Sequence, residues 1–340
     1  MTVDGTADLT AQLTDWSSDA PVLAAAAADR SGLIPDGVPL LLVRARSVAE
    51  VQATVRFAAQ HGIPRPHGSY EALAADPEVD VIYVSTPHPF HAENALLALE
   101  HGKHVLVEKP FTINEAEARA VVDLAAANGL VVLEAMWTRW LPHMVRIREL
   151  IASGVLGEVR ALIADHDQKL PLDPAHRIQN PGLGGGALLD LGIYPVSFAW
   201  DVFGAPSTVH AISSPTPTGV DRQTAIILGY PGGEQAVLHT QLDARGPSRA
   251  AIIGTEARIE IDRVWYTPTS FSLIDPADAV IERFAHEVPG RGMQFQAAEL
   301  ERLVAAGALA GDILPPDESV AIMGTLDEIR RQIGLRYPGE

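Results

Sequence analysis

The sequence predicts an α/β fold in two parts: a parallel strand-and-helix unit, then an α+β domain with a largely antiparallel open sheet. Three observations carry this. Between residues 40 and 134, four short apolar runs alternate with four stretches at helical spacing, the pattern of parallel strands joined by right-handed crossovers. After Pro142 the alternation stops, and from about 209 to 281 strand-like runs follow one another without intervening helices. One strand of the first part ends on a charged pair, Glu108-Lys109, closed by Pro110.

The elements follow in order. Residues 1–38 hold scattered acidic and small residues, an Ala-rich run that suggests a helix near 22–29, and turn formers at Gly32, Pro35 and Gly37. Residues 40–43 read as a strand, and Ser47 caps a helix whose apolar residues Val48, Val51 and Val55 share a face. A short helix at 70–75 precedes a β-branched strand at 79–84. Ser85-Thr86-Pro87 then turns into a helix over 89–101. A strand at 104–108, a helix at 114–128 with Gly129 as its C-cap and a strand at 130–134 complete the unit. Beyond it come a helix to about 153, a strand over 158–166 and a loop punctuated by Pro171, Pro174 and Pro181. Pro231-Gly232-Gly233 and Gly254 mark two hairpin turns, and helices over 293–306 and 318–333 close the chain.

Composition narrows the function. The 340 residues are 47% hydrophobic and 20% charged, enough for two cores. A formal charge of -18 opposes a polyanionic partner, so nucleic acid is not expected. The absence of cysteine rules out thiolate chemistry and fits a cytoplasmic location. The apolar run at 20–28 is too short for a membrane span, and no membrane association is expected. No His-Glu-x-x-His pattern occurs, so no metal site is expected.

Two constellations carry chemistry. Lys109 ends a strand where an open parallel sheet borders its ligand crevice, so it can act as acid or base; a surface Glu-Lys pair is the plainer alternative. The stretch Gly184-Gly185-Gly186-Ala-Leu-Leu-Asp190-Leu-Gly192-Ile-Tyr194 sets a carboxylate and a phenol four residues apart, on one face if helical. Asp190 satisfying backbone donors and Tyr194 packing in the core remain open, and Pro195 predicts a kink.

Together, Ser85-Thr86-Pro87 with His91, Glu108-Lys109-Pro110, and the glycines with Asp190 and Tyr194 resemble the glucose-fructose oxidoreductase, inositol dehydrogenase and MocA (Gfo/Idh/MocA) family over about 57–336. With Glu134-Ala-Met-Trp137-Thr-Arg139-Trp140, the likeness is to the branch of dihydrodiol dehydrogenases and NADP-dependent xylose dehydrogenases. The resemblance implies a Rossmann domain that binds NADP or NAD, with NADP favoured, and a second domain whose open sheet mediates dimerisation. It implies hydride transfer on a sugar, polyol or dihydrodiol. Lys109, Asp190 and Tyr194 would be catalytic. Ser85, Thr86, Pro87, His91, Glu108 and Lys109 would meet the cofactor, and Trp137, Arg139 and His166 would line the substrate pocket. For His88 and His91 a plain polar helix start is the alternative, and for Trp137 and Trp140 a place in the core.

The pattern breaks at the amino end. No strand there runs into Gly-x-Gly-x-x-Gly, the turn that sets backbone N–H groups on a pyrophosphate, so the Rossmann sheet reads as incomplete. Residues 1–64, through the stretches 29–39 and 43–52, resemble instead the opening of FAD-linked oxidases of the glycolate oxidase and D-lactate dehydrogenase type, without their flavin loop; FAD is not the expected cofactor. The expected division is an atypical segment over 1–56, a Rossmann-like domain over 57–134 and a substrate and dimerisation domain over 135–340. A dehydrogenase weakened in cofactor binding is the first expectation, a non-catalytic dimeric binding protein the second, and a flavoenzyme fragment the third.

Overall fold

The computed structural model describes residues 65–340. The expected helix near 22–29, the strand at 40–43, the helix from Ser47 and the expected lack of a phosphate-binding turn in 1–38 lie outside the described residues.

Strands β1 (Val81–Val84), β2 (His104–Glu108) and β3 (Val132–Ala135) form a parallel sheet in that order. Val84, Val105, Val107 and Ala135 are fully buried, as expected of strands covered on both faces. Helices α1 (Tyr70–Ala74), α2 (His91–Glu100) and α3 (Glu115–Asn128) accompany them. The Asn114 side chain accepts the Glu117 N–H at 2.9 Å to start α3, and Gly129, at φ +65°, ends it in the left-handed conformation that glycine adopts without cost. Ala118, Val121, Val122 and Ala125 supply the buried stripe between those caps. The carboxyl ends of β1, β2 and β3 thus lie side by side, carrying Ser85, Lys109 and Met136.

The second sheet has eight strands: β4 (Val159–Asp167), β5 (Thr208–Pro215), β6 (Asp221–Gly229), β7 (Gln235–Gln241), β8 (Ala250–Gly254), β9 (Arg258–Ile261), β10 (Phe271–Ile274) and β11 (Val280–Phe284). Their order is β11-β10-β9-β8-β4-β7-β6-β5, and every pair is antiparallel except β4 with β7. Helix α5 (Ile193–Phe203) packs on β4 and β7 over one face. On the other face Ile163, Ile212, Ile227 and Val237 are exposed, 75% in the case of Ile212.

Helices α4 (Pro142–Ala152), α6 (Gln294–Ala306) and α7 (Pro316–Ile333) complete the chain. Two separate cores were expected. Instead, buried apolar residues from Leu73 to Tyr337 form one cluster, because α7 packs on both α3 and β5. A small satellite of Ile178, Ala187, Leu191 and Leu242 lies beneath the glycine-rich turn. Among the described residues no helix is long and apolar enough to cross a membrane.

Candidate active site

The glycine-rich stretch does not begin as a regular helix. Residues Leu188–Gly192 form a single π turn that leads into α5, and Pro195 lies in the first turn of that helix. Proline has no N–H to donate and crowds the preceding carbonyl, so a widened turn just before it is a physical outcome of the sequence. The kink expected at Tyr194 therefore lies one turn earlier. Asp190 and Tyr194 nonetheless meet the same partner.

That partner is Lys109. Its Nζ donates to the Asp190 carbonyl at 2.7 Å and to Asp190 Oδ1 at 3.4 Å, and it stands 5.0 Å from the centre of the Tyr194 ring. Arg177 Nη1 also donates to Asp190 Oδ1 at 3.3 Å, and His88 Nε2 lies 3.6 Å from the same oxygen. Burial alone would raise the Asp190 pKa; Arg177, Lys109 and His88 together hold it far below the usual carboxylate range. For Lys109 burial acts downward, but Asp190, then Tyr194 and Glu108, more than offset it and raise the pKa. Lys109 is therefore an ammonium at neutral pH. Its side chain keeps 14% of its surface open, so one of its three donors remains for a ligand.

Aromatic groups wall the space beside this pair. The Tyr194 hydroxyl accepts the Trp137 indole N–H at 3.0 Å. His166 meets Tyr194 edge-on at 4.9 Å and stacks on Tyr266 at 3.7 Å, and the Gln168 amide lies 2.8 Å from His166 Nε2. Burial pushes His166 down to about 3, so its ring is neutral. Arg291 places its guanidinium 5.6 Å from the Trp137 ring. Trp137 and His166 are thus together with Lys109, Asp190 and Tyr194.

The other expected site residues have their own partners. Arg139, expected at the pocket mouth, is 2% exposed and bound to Ser197, Asp201, Glu318 and the Ile313 carbonyl, because its motif opens a turn beneath α5. His91, expected to meet the cofactor, uses both ring nitrogens on protein carbonyls, Pro110 at 2.8 Å and Thr86 at 2.7 Å, tying the loop after β1 to the loop after β2. Glu108 accepts the Tyr83 hydroxyl and the Lys109 N–H, bracing β2 against β1. Ser85, Thr86 and Pro87 are half-buried where β1 ends. Arg177, Gln168 and Tyr266 were missed. They sit in irregular segments where no periodicity points at a site, although Arg177 lies in the proline-punctuated loop just before the glycines.

Comparison with known proteins agrees with this arrangement. Residues 39–136 match the oxidoreductase family with an NAD-binding Rossmann fold, and residues 144–260 match the GFO/IDH/MocA C-terminal domain. The first match starts upstream of residue 57, where the motifs alone had placed the onset of the likeness. The chain is 37% identical to D-xylose 1-dehydrogenase (NADP(+)) of Hypocrea jecorina over 310 residues, covering 81% of this chain and 78% of that one. It is 34% identical to trans-1,2-dihydrobenzene-1,2-diol dehydrogenase of Bos taurus over 309 residues, covering 88% and 90%. In fold it is similar to an aldose-aldose oxidoreductase from Caulobacter crescentus, with a TM-score of 0.73 at 24% identity over 83% of this chain and 86% of that one. A 3-ketoreductase from Actinomadura kijaniata gives a TM-score of 0.72 at 24% identity, with the same coverage. With both halves matched in order, and with relatives of this identity along most of its length, the chain belongs to the Gfo/Idh/MocA family of NAD(P)-binding oxidoreductases.

Proposed function

We propose that the protein is an NADP-dependent dehydrogenase that interconverts a hydroxyl and a carbonyl on a sugar, polyol or dihydrodiol. One observation carries the reading: Lys109, charged and partly open, stands at a strand's carboxyl end between Asp190 and the Tyr194 ring. The names of the Hypocrea and Bos relatives support the substrate class, and the former supports NADP over NAD. The half-buried Ser85 and Thr86 beside Lys109 fit the nicotinamide end of a dinucleotide. No glycine-rich turn follows β1, β2 or β3, so the described residues offer no cradle for a pyrophosphate.

When bound, the nicotinamide supplies the hydride acceptor or donor. In this proposal Lys109 exchanges the proton at the reacting oxygen, Asp190 fixes the position and charge of Lys109, and Tyr194 binds or relays through its hydroxyl. Trp137 and His166 exclude water and shape the pocket. Because Asp190 keeps Lys109 protonated, the resting site is a proton donor and suits carbonyl reduction. Oxidation requires Lys109 to lose its proton and so rises with pH. The exposed apolar face of Ile163, Ile212, Ile227 and Val237 supports a homodimer built on the open sheet, and the lack of cysteine supports a cytoplasmic location.

The test is a spectrophotometric assay of nicotinamide reduction with NADP+ and with NAD+, offering D-xylose and a trans-dihydrodiol. Turnover with NADP+ exceeding that with NAD+, and rising from neutral toward alkaline pH, is expected. No turnover of either class with either cofactor would overturn the reading.

A further inference from the structure

Each of the three glycines before Asp190 meets a different buried group. His88 Nδ1 donates to the Gly184 carbonyl at 3.1 Å. The Tyr337 hydroxyl, from the segment after α7, donates to the Gly185 carbonyl at 2.8 Å. Gly186, at φ +120°, lies so close to Asp221 of β6 that a Cβ would fall 2.2 Å from its Oδ1. The other Asp221 oxygen accepts the Leu188 N–H at 2.8 Å and the Thr224 hydroxyl at 3.0 Å. Asp221 is 3% exposed and Tyr337 4%. Both bond directly to the turn that leads to Asp190.

We propose that Asp221 and Tyr337 are positioning residues, which clamp the turn at residues 184–188 and thereby hold Asp190 against Lys109. The inference rests on Lys109 being the proton-exchanging group. Its physical basis is the weakness of the turn itself. The first N–H groups of a helix have no partner inside it, and a π turn at that end lacks the regular ladder that would fix the residues after it. A carboxylate from a neighbouring strand supplies the missing acceptor at Leu188 and sets a negative charge at the helix start, where the dipole favours it. Asp190 follows two residues later. A shift of the turn moves both oxygens that Lys109 uses, the carbonyl and Oδ1, at once.

Three glycines in a row are then explained by close approaches, the first because a side chain at 184 would fall 3.0 Å from His88 Cβ. A side chain at 185 would meet the Ile178 carbonyl at 2.6 Å, and one at 186 would meet Asp221. Asp221 Oδ1 is buried without a protein hydrogen-bond partner, and burial pushes the carboxyl up to about 6.

The experiment reads Lys109 itself. The rate at which an amine-directed acylating reagent labels Lys109, followed by peptide mass spectrometry across pH, gives its apparent pKa whether or not the protein turns over. Asp221→Ala should move that profile toward acid, because Lys109 loses the Asp190 charge that raises its pKa. If turnover is measurable, kcat falls by about 10²-fold, the effect of a misplacement near 1 Å, while the KM for NADP stays the same. Asp221→Asn keeps an acceptor for the Leu188 N–H and should leave the labelling profile near that of the unaltered protein. Tyr337→Phe should shift it in the same direction as Asp221→Ala, by less. An unmoved Lys109 profile in folded Asp221→Ala overturns the proposal, and so does an equal shift in Asp221→Asn, which would assign the effect to charge at a distance. Absence of turnover in the unaltered protein counts against the dehydrogenase reading alone.

Discussion

Two buried ion clusters, one around Arg139 and one around Lys109, are finished differently. Around Arg139, Nε donates to Ser197 Oγ, Nη1 reaches the Ile313 carbonyl and Asp201, and Nη2 reaches the Ser197 carbonyl and Glu318. Four guanidinium donors make hydrogen bonds, and Nη1 also pairs with Asp201 at 3.1 Å. Around Lys109, one donor is well bonded, a second is long at 3.4 Å, and the third faces an aromatic ring beside the pocket. A saturated cation is a fastener, whereas one with a donor left over, and a path to solvent, can bind something that arrives later.

Substitution of the two cations sharpens that contrast most. Lys109→Met should lower turnover per folded molecule by about 10²- to 10⁴-fold, the usual worth of a positioned acid or base, while Asp190 keeps its bond to Arg177. Retained turnover would dissolve the distinction. Arg139→Met should do the reverse: Glu318 loses its ion pair, Asp201 is left with Arg148 alone, and the change costs about 3–5 kcal/mol of stability in urea titrations, while turnover per folded molecule stays the same.

Glu134 extends the comparison to pH. It borders the Arg139 cluster, accepts the Ser319 hydroxyl at 2.7 Å, and burial raises its pKa from 4.5 to about 7. The folded state therefore holds this proton more tightly than the unfolded chain. The stabilisation is complete below pH 4.5 and is lost as pH rises to about 7, on the order of 3 kcal/mol in all. In Glu134→Gln, melting curves across that window should lose this slope. An unchanged slope would mean that Glu134 is ionised in the fold. The smallest effect is expected for Tyr194→Phe. The Trp137 N–H loses its acceptor and the substrate one hydroxyl, lowering kcat/KM by about tenfold, the worth of one hydrogen bond.

Much of this contrast was absent from the linear chain. Lys109 was legible because a strand, a charged residue and a proline in succession locate a sheet's carboxyl edge. Asp190 and Tyr194 were legible by their spacing, helped by the family likeness. Arg139 was misplaced because it shares a motif with Trp137, and neighbours in a short 3-10 turn point in different directions. Trp137 reaches Tyr194, while Arg139 turns beneath α5. For His91, sequence gives the position of a histidine but not that its ring nitrogens face the Pro110 and Thr86 carbonyls. Arg177 and Tyr266 come from irregular segments, where only the fold decides what is adjacent. The sheet order was likewise hidden, since inserting β4 between β7 and β8 leaves no local trace.

One further feature lies at the outer strand of the large sheet. From α7, the Gln332 side chain accepts the Ala211 N–H at 2.9 Å and donates to the Val209 carbonyl at 2.7 Å, so one amide imitates the backbone of a missing ninth strand along β5. An exposed strand edge is a template for another chain, and here that template is occupied at its middle. The sheet cannot lengthen past β5 without peeling α7 away from α3. Copies of the protein that meet at this end therefore cannot grow into a continuous ribbon.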